Sequence, residues 1–129
     1  MFRPMARDLL TERYAERKRA ATARAAALRD QVPALVSRLV AQGARRVVLF
    51  GSLASGAEPH ARTDVDLCVE GLSERDAART ALELELVAGA RVDVVCWESA
   101  SAELRQMIEA YGRDVTTDRA ETRPQHVAG

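Results

Sequence analysis

From residue 5 to residue 31 the apolar positions are sparse and fall on one side of a helix. Leu10, Tyr14, Ala21, Ala25, Leu28 and Val32 recur at three-, four- and seven-residue intervals, the spacing that aligns one helical face. The rest of "MARDLLTERYAERKRAATARAAALRDQ" is rich in Ala, Arg, Leu and Glu, all good helix formers. Alanine makes the stripe shallow, suited to packing against another helix rather than a deep core. Pro33 predicts a kink or the start of a new helix. "PALVSRLVAQG" follows as an amphipathic helix with Leu35, Val36, Leu39 and Val40 inward, and Gly43 suits its stop.

Beyond Gly43 the apolar residues run together. "RRVVLF" (45–50) reads as a strand buried on both faces, "DVDLCVEGL" (64–72) as a second and "RVDVVCW" (91–97) as a third. Ser73 with Asp76 three residues on is a capping signature. It opens a helix over 74–88 that Gly89 closes. Ser99 or Ser101 caps a last helix through Leu104, Met107, Ile108 and Tyr111, ending near Gly112. The tail "TTDRAETRPQHVAG" has no apolar period, which predicts disorder. The order helix, helix, strand, loop, strand, helix, strand, helix predicts an α/β fold, a small sheet covered by helices. Three strands are few, so further edge pairing or a partner subunit is expected. The predicted organisation is an N-terminal helical extension over 1–32, one domain over 33–115 and a flexible tail over 116–129.

Composition narrows the class. The 129 residues are 47% hydrophobic and 29% charged, with only 4% aromatic, which fits one ordinary globular domain with a small core. No window approaches a membrane span. "MFRPMARDLL" is too charged and too short in apolar run for a secretory signal, so a cytoplasmic protein is expected. Cys68 and Cys96 lie inside apolar runs and read as buried free thiols. Net charge is zero but unevenly spread: residues 1–31 carry eight basic and four acidic groups, residues 72–129 seven and eleven. A basic helix suits an anionic partner, nucleic acid or nucleotide, or is a solvated face.

The candidate chemistry sits in "GSLASGAEPHARTDVD", Gly51 to Asp66. Gly51 lets the backbone turn sharply after a strand and approach a ligand. Ser52 can cap the next turn and hold a phosphate oxygen. Gly56 permits a second turn. The Gly-Lys-Ser/Thr ending of a Walker loop is absent. His60, in the same loop, is expected to be solvent-exposed. Asp64 and Asp66, two apart on a strand, project to one face with Cys68. Their repulsion calls for a cation, and Mg²⁺ favours one or two carboxylates plus substrate phosphates. Asp93 is an acid inside an apolar strand, costly to bury unless used. Set beside strand 64–69 it would complete a three-carboxylate cluster suited to two-metal phosphoryl or nucleotidyl transfer. The alternative is an ion pair of Asp93 with Arg91 or Arg46.

Gly51-Ser52, eleven intervening residues, Asp64-Val65-Asp66 and a later Asp93 resemble the minimal nucleotidyltransferases of the polymerase-β superfamily, over about residues 33–112. The resemblance implies that fold for 33–115, a small mixed sheet flanked by helices behind the long N-terminal helix. It implies that Gly51 and Ser52 bind the nucleoside triphosphate, that Asp64 and Asp66 hold Mg²⁺, joined by Asp93 in a two-metal site, and that Asp93 activates the acceptor hydroxyl. The loop is one residue longer than the family's usual spacing, and Ser55 stands where an arginine often precedes the second glycine. Arg62 is the cation available in its place.

Members of this size resemble antitoxins paired with HEPN-domain ribonuclease toxins. The implied reaction is transfer of AMP from ATP to a tyrosine of the toxin, with no direct nucleic-acid or membrane partner. The alternatives are a non-catalytic antitoxin acting by contact and an aminoglycoside-like small-molecule adenylyltransferase.

Overall fold

Short apolar runs between polar turns build the sheet, buried along most of β1 and β2. The computed structural model describes residues 5–59 and 62–120, with side chains from residue 8 onward; His60, Ala61 and residues 121–129 lie outside the described residues. The chain runs α1 (Met5–Ala41), β1 (Arg46–Phe50), α2 (Ser52–Ser55), β2 (Val65–Glu70), α3 (Glu74–Ala88), β3 (Val92–Cys96), a 3₁₀ turn (Trp97–Ser99), α4 (Ala102–Tyr111) and β4 (Arg113–Asp114). The sheet order is β3-β2-β1-β4. β1 pairs antiparallel with β2 and with β4, and β2 pairs parallel with β3. This is the mixed α/β arrangement expected for a minimal nucleotidyltransferase fold.

Successive strand residues face opposite ways, so each strand feeds two cores. Val47, Leu49, Val65, Leu67, Val69 and Val92 pack with Ala25, Leu28, Val32, Leu35, Val36 and Leu39 of α1 and with Ala77 and Leu84 of α3. On the other face Val48, Phe50 and Cys68 pack with Ile108, with Leu104 and Trp97 alongside. The helix-covered face is the larger core, and the α4 face is the smaller.

Two expectations change. Of the two readings of Pro33, the start of a new helix is overturned: α1 is continuous from Met5 to Ala41 with Pro33 inside it. Flanking Val32, Leu35 and Val36 are fully enclosed, and their burial outweighs the one intrahelical bond that proline removes. The outer part of the predicted stripe also differs, for Leu10 and Tyr14 are exposed while Ala21, Ala25, Leu28 and Val32 are buried.

The helix caps follow the sequence. Ser73 Oγ accepts from the Asp76 amide and Ser101 Oγ from the Leu104 amide. Gly89 closes α3 in the left-handed conformation. The edge pairing expected beyond three strands is β4, only two residues long. Beyond it, Val115 is buried and its amide bonds Val47 O. Thr116 Oγ1 accepts from the Val47 amide, and the Ala120 amide bonds Pro33 O, so residues 116–120 lie against the body.

Candidate active site

One row across the sheet carries the site. β1 and β2 bring Phe50 opposite Asp66, and β2 and β3 bring Asp66 opposite Asp93. Asp66 alternates with Leu67 and Asp93 with Val92 and Val94, all of which belong to the helix-covered core. Both carboxylates therefore project from the α4 face. Asp64, just ahead of β2, shares their parity.

The electrostatics confirm proximity. Asp66 is half-buried, and its carboxyl sits above its ordinary range. Burial is the main cause, followed by the negative charges of Asp93 and Asp64 and a hydrogen bond shared with Asp93; Arg91 pulls the other way. Arg91 Nε donates to Asp93 Oδ1 at 3.2 Å, with both side chains well exposed. Of the two counter-ions considered for Asp93 it is therefore Arg91, because Arg46 bonds Glu70 at 2.9 Å and lies 3.7 Å from Asp114.

Gly51 closes the other side of Asp66. Its backbone has φ 75° and ψ −156°, a region open in practice only to glycine. A Cβ here would run into Asp66 Oδ2 and stand 3.2 Å from its Cγ. The turn after β1 thus lies directly against the carboxylate. Gly51 O accepts from the amides of Ala54 and Ser55 at 3.2 and 3.0 Å, forming α2, and Gly56 ends it with φ 75° and ψ 13°. The predicted turn is thereby a single helical turn. Its first amides, Ser52 among them, have no acceptor within a helix. Arg62 is exposed in the loop ahead of Thr63.

Among the described residues no three His, Cys, Asp or Glu side chains form a group able to hold a metal ion as they stand. Asp93 is engaged by Arg91, and Asp66 lies against the Gly51 turn. The donor chemistry nevertheless fits Mg²⁺, which needs only one or two carboxylates and completes its octahedron with water and phosphate oxygens. Asp64 and Asp66 are the carboxylates that would hold it, in a cluster whose own repulsion is felt at Asp66.

The cysteines stay out of the chemistry. Both are free and buried, and burial pushes the Cys68 thiol up to about 11, far from a reactive thiolate at neutral pH. Two guanidinium groups lie over the Trp97 ring, Arg46 at 5.1 Å and Arg105 at 4.9 Å from its centre. Sequence reading missed Leu53 and Thr63 as buried anchors of the site loop. The signal available was faint: one leucine and one β-branched residue in a run of small and charged ones.

The family model described as a nucleotidyltransferase domain matches residues 29–115. A solved structure described as that of a minimal nucleotidyltransferase is 33% identical, with a TM-score of 0.58, covering 68% of this chain and 92% of that one. A mutant of the toxin–antitoxin MntA–HpeT is 25% identical at a TM-score of 0.52, covering 62% and 66%. A toxin–antitoxin with AMP-PNP is 23% identical at a TM-score of 0.54, covering 68% and 74%. No curated protein matches the chain. With its strands, turn and acidic row inside the matched span, the chain belongs to the nucleotidyltransferase domain family.

Proposed function

We propose that the chain is a Mg²⁺-dependent adenylyltransferase that modifies a tyrosine hydroxyl of a HEPN-domain toxin and so acts as its antitoxin. The observation carrying this reading is the Asp66–Asp93 register, with the Gly51 turn pressed on Asp66. It brings two carboxylates side by side at one strand end, next to a tight glycine turn, which supports a site for a metal-bound phosphate.

In this reading Gly51 and Ser52 seat the triphosphate of ATP, and Arg62 supplies a cation to it. Asp64 and Asp66 would hold Mg²⁺, and Asp93 stands opposite Asp66 on the neighbouring strand. A bound ion would supply neutralisation of the charge that builds on the phosphates. The acceptor oxygen bonds to the α-phosphorus, the bond to the β-phosphate oxygen breaks, and pyrophosphate leaves. Asp93 takes the hydroxyl proton as general base. Arg91, exposed beside it, is a cheaply displaced partner, since such surface pairs contribute little.

The AMP-PNP in one structural neighbour supports the nucleotide, and the toxin–antitoxin neighbours support the partner. The outer turns of α1 expose Leu9, Leu10 and Tyr14, an apolar surface for docking that partner. Among the described residues no helix is long and apolar enough to cross a membrane.

The test incubates the purified chain with α-labelled ATP, Mg²⁺ and a HEPN-domain protein encoded beside it. Label should move to a tyrosine of that protein and fall to background with Asp64→Ala plus Asp66→Ala. Complex formation without label transfer would favour a contact-only antitoxin, and transfer to an aminoglycoside alone would favour the small-molecule enzyme. Either result overturns the proposal.

A further inference from the structure

The site loop is gripped from behind. Asp66 and Asp93 project from the α4 face, whereas α1 packs on the opposite face, so α1 cannot meet them directly. It reaches the loop backbone instead. Arg29 Nε donates to Leu53 O at 3.2 Å, within α2, and Arg24 Nη2 donates to Thr63 O at 3.4 Å, one residue ahead of Asp64. Leu53 and Thr63 are both buried, at 4% and 1% exposure. The two grips therefore fall at the start and end of the segment that joins the phosphate turn to the aspartates.

Helix geometry explains why these two arginines serve. Five residues along a helix amount to a rise of about 7.5 Å and a rotation of about 140°. That rotation sets Arg24 and Arg29 on either flank of the Ala21–Ala25–Leu28 stripe, whose Ala25 and Leu28 pack in the same core as Leu53. Small alanines let the loop lie close, and the flanking guanidinium groups reach its carbonyls. Arg24 is partly buried, and its Nε atom is shielded from solvent with no hydrogen-bond partner among the described residues.

Between the grips, Ser55, Gly56, Ala57 and Glu58 are exposed. A cavity of about 550 Å³, lined by Tyr14, Lys18, Ala21, Arg24, Glu58 and Pro59 among others, separates the loop from α1. It is spanned by the exposed Lys18–Glu58 ion pair at 2.9 Å, which contributes little. The two arginine bonds act at the ends of the segment, alongside the burial of Leu53 and Thr63.

We infer that Arg24 and Arg29 are positioning residues, which set the Gly51–Ser52 turn and Asp64 at their working separation through the loop backbone. Arg24 lies outside the matched family span and Arg29 is its first residue, which gives the N-terminal part of α1 a task in the site. The inference rests on the nucleotide reading of that site.

The test compares wild type with Arg24→Ala/Arg29→Ala and Arg24→Lys/Arg29→Lys. It uses amide hydrogen exchange and titration with a non-hydrolysable ATP analogue in Mg²⁺. Loss of two such bonds should speed exchange of the Ala54, Ser55 and Asp64 amides roughly tenfold, with β1 and β2 unchanged, and weaken nucleotide binding by a similar factor. The lysine pair, still able to donate, should recover part of both. Unchanged loop exchange, or exchange raised throughout the chain, overturns the inference. If the double alanine variant fails to fold, Arg29→Ala alone is read in the same way. Should wild type bind no nucleotide, the functional reading falls, while the exchange data still decide whether the loop is held.

Discussion

Asp66 is the residue on which folding and chemistry pull in opposite directions. Its carboxyl is raised above the ordinary 3.8 by burial and by Asp93 and Asp64. A group that holds its proton more tightly folded than unfolded loses stability as pH rises through that window, so at neutral pH the charged Asp66 opposes folding. Asp66→Asn should therefore melt a few degrees higher than wild type at neutral pH without nucleotide. The gain should fade as pH falls below 3.8, where both states are protonated. Thermal melts across pH check this, and an Asn variant melting below wild type at neutral pH would refute it. Such a cost is expected where residues are kept for function rather than stability. The acidic pattern was legible in the sequence because two aspartates two apart on a strand must share a face. The Arg91 pairing was legible only as one of two options, since no sequence pattern says whether Arg46 is occupied by Glu70 and Asp114.

At the scale of elements, α2 depends on one backbone conformation. Gly51 combines φ 75° with a carboxylate where a Cβ would go. Gly51→Ala should cost about 2 kcal/mol or more in stability, from strain and displacement of Asp66. It should also abolish nucleotide binding, as read by denaturant unfolding and by titration with the ATP analogue. An alanine variant of wild-type stability would show that the turn is not what confines Asp66. The three long strands, α3 and α4 were readable from hydrophobic runs and serine caps, because their local signals agree with the fold. Pro33 was not, since its effect is decided by the enclosed Val32, Leu35 and Val36 around it. Nor was β4: two exposed residues carry no alternation, and only the edge of β1 and the buried Val115 behind them define it.

Across the whole molecule, a long-range arrangement does what no motif records. The helix-covered core lies on one face of the sheet and the acidic row on the other, and the loop between β1 and β2 joins them. The parallel pairing of β2 with β3 makes Asp66 and Asp93 neighbours although 27 positions separate them. That pairing was conditional in the sequence, because register depends on how α3 returns the chain to the sheet. Likewise the arginines that hold the loop were hidden among many on an exposed helix, and only the fold singles out two of them.

The most direct measurement is calorimetric titration of the purified chain with a non-hydrolysable ATP analogue, in Mg²⁺ and then in excess chelator, for wild type and for Asp64→Ala/Asp66→Ala. If Asp64, Asp66 and Asp93 form one magnesium-dependent nucleotide site, wild type binds in Mg²⁺, and both the chelator and the double substitution weaken binding at least roughly tenfold, about 1.4 kcal/mol. Equal affinity with and without Mg²⁺, or with and without the two aspartates, would contradict it.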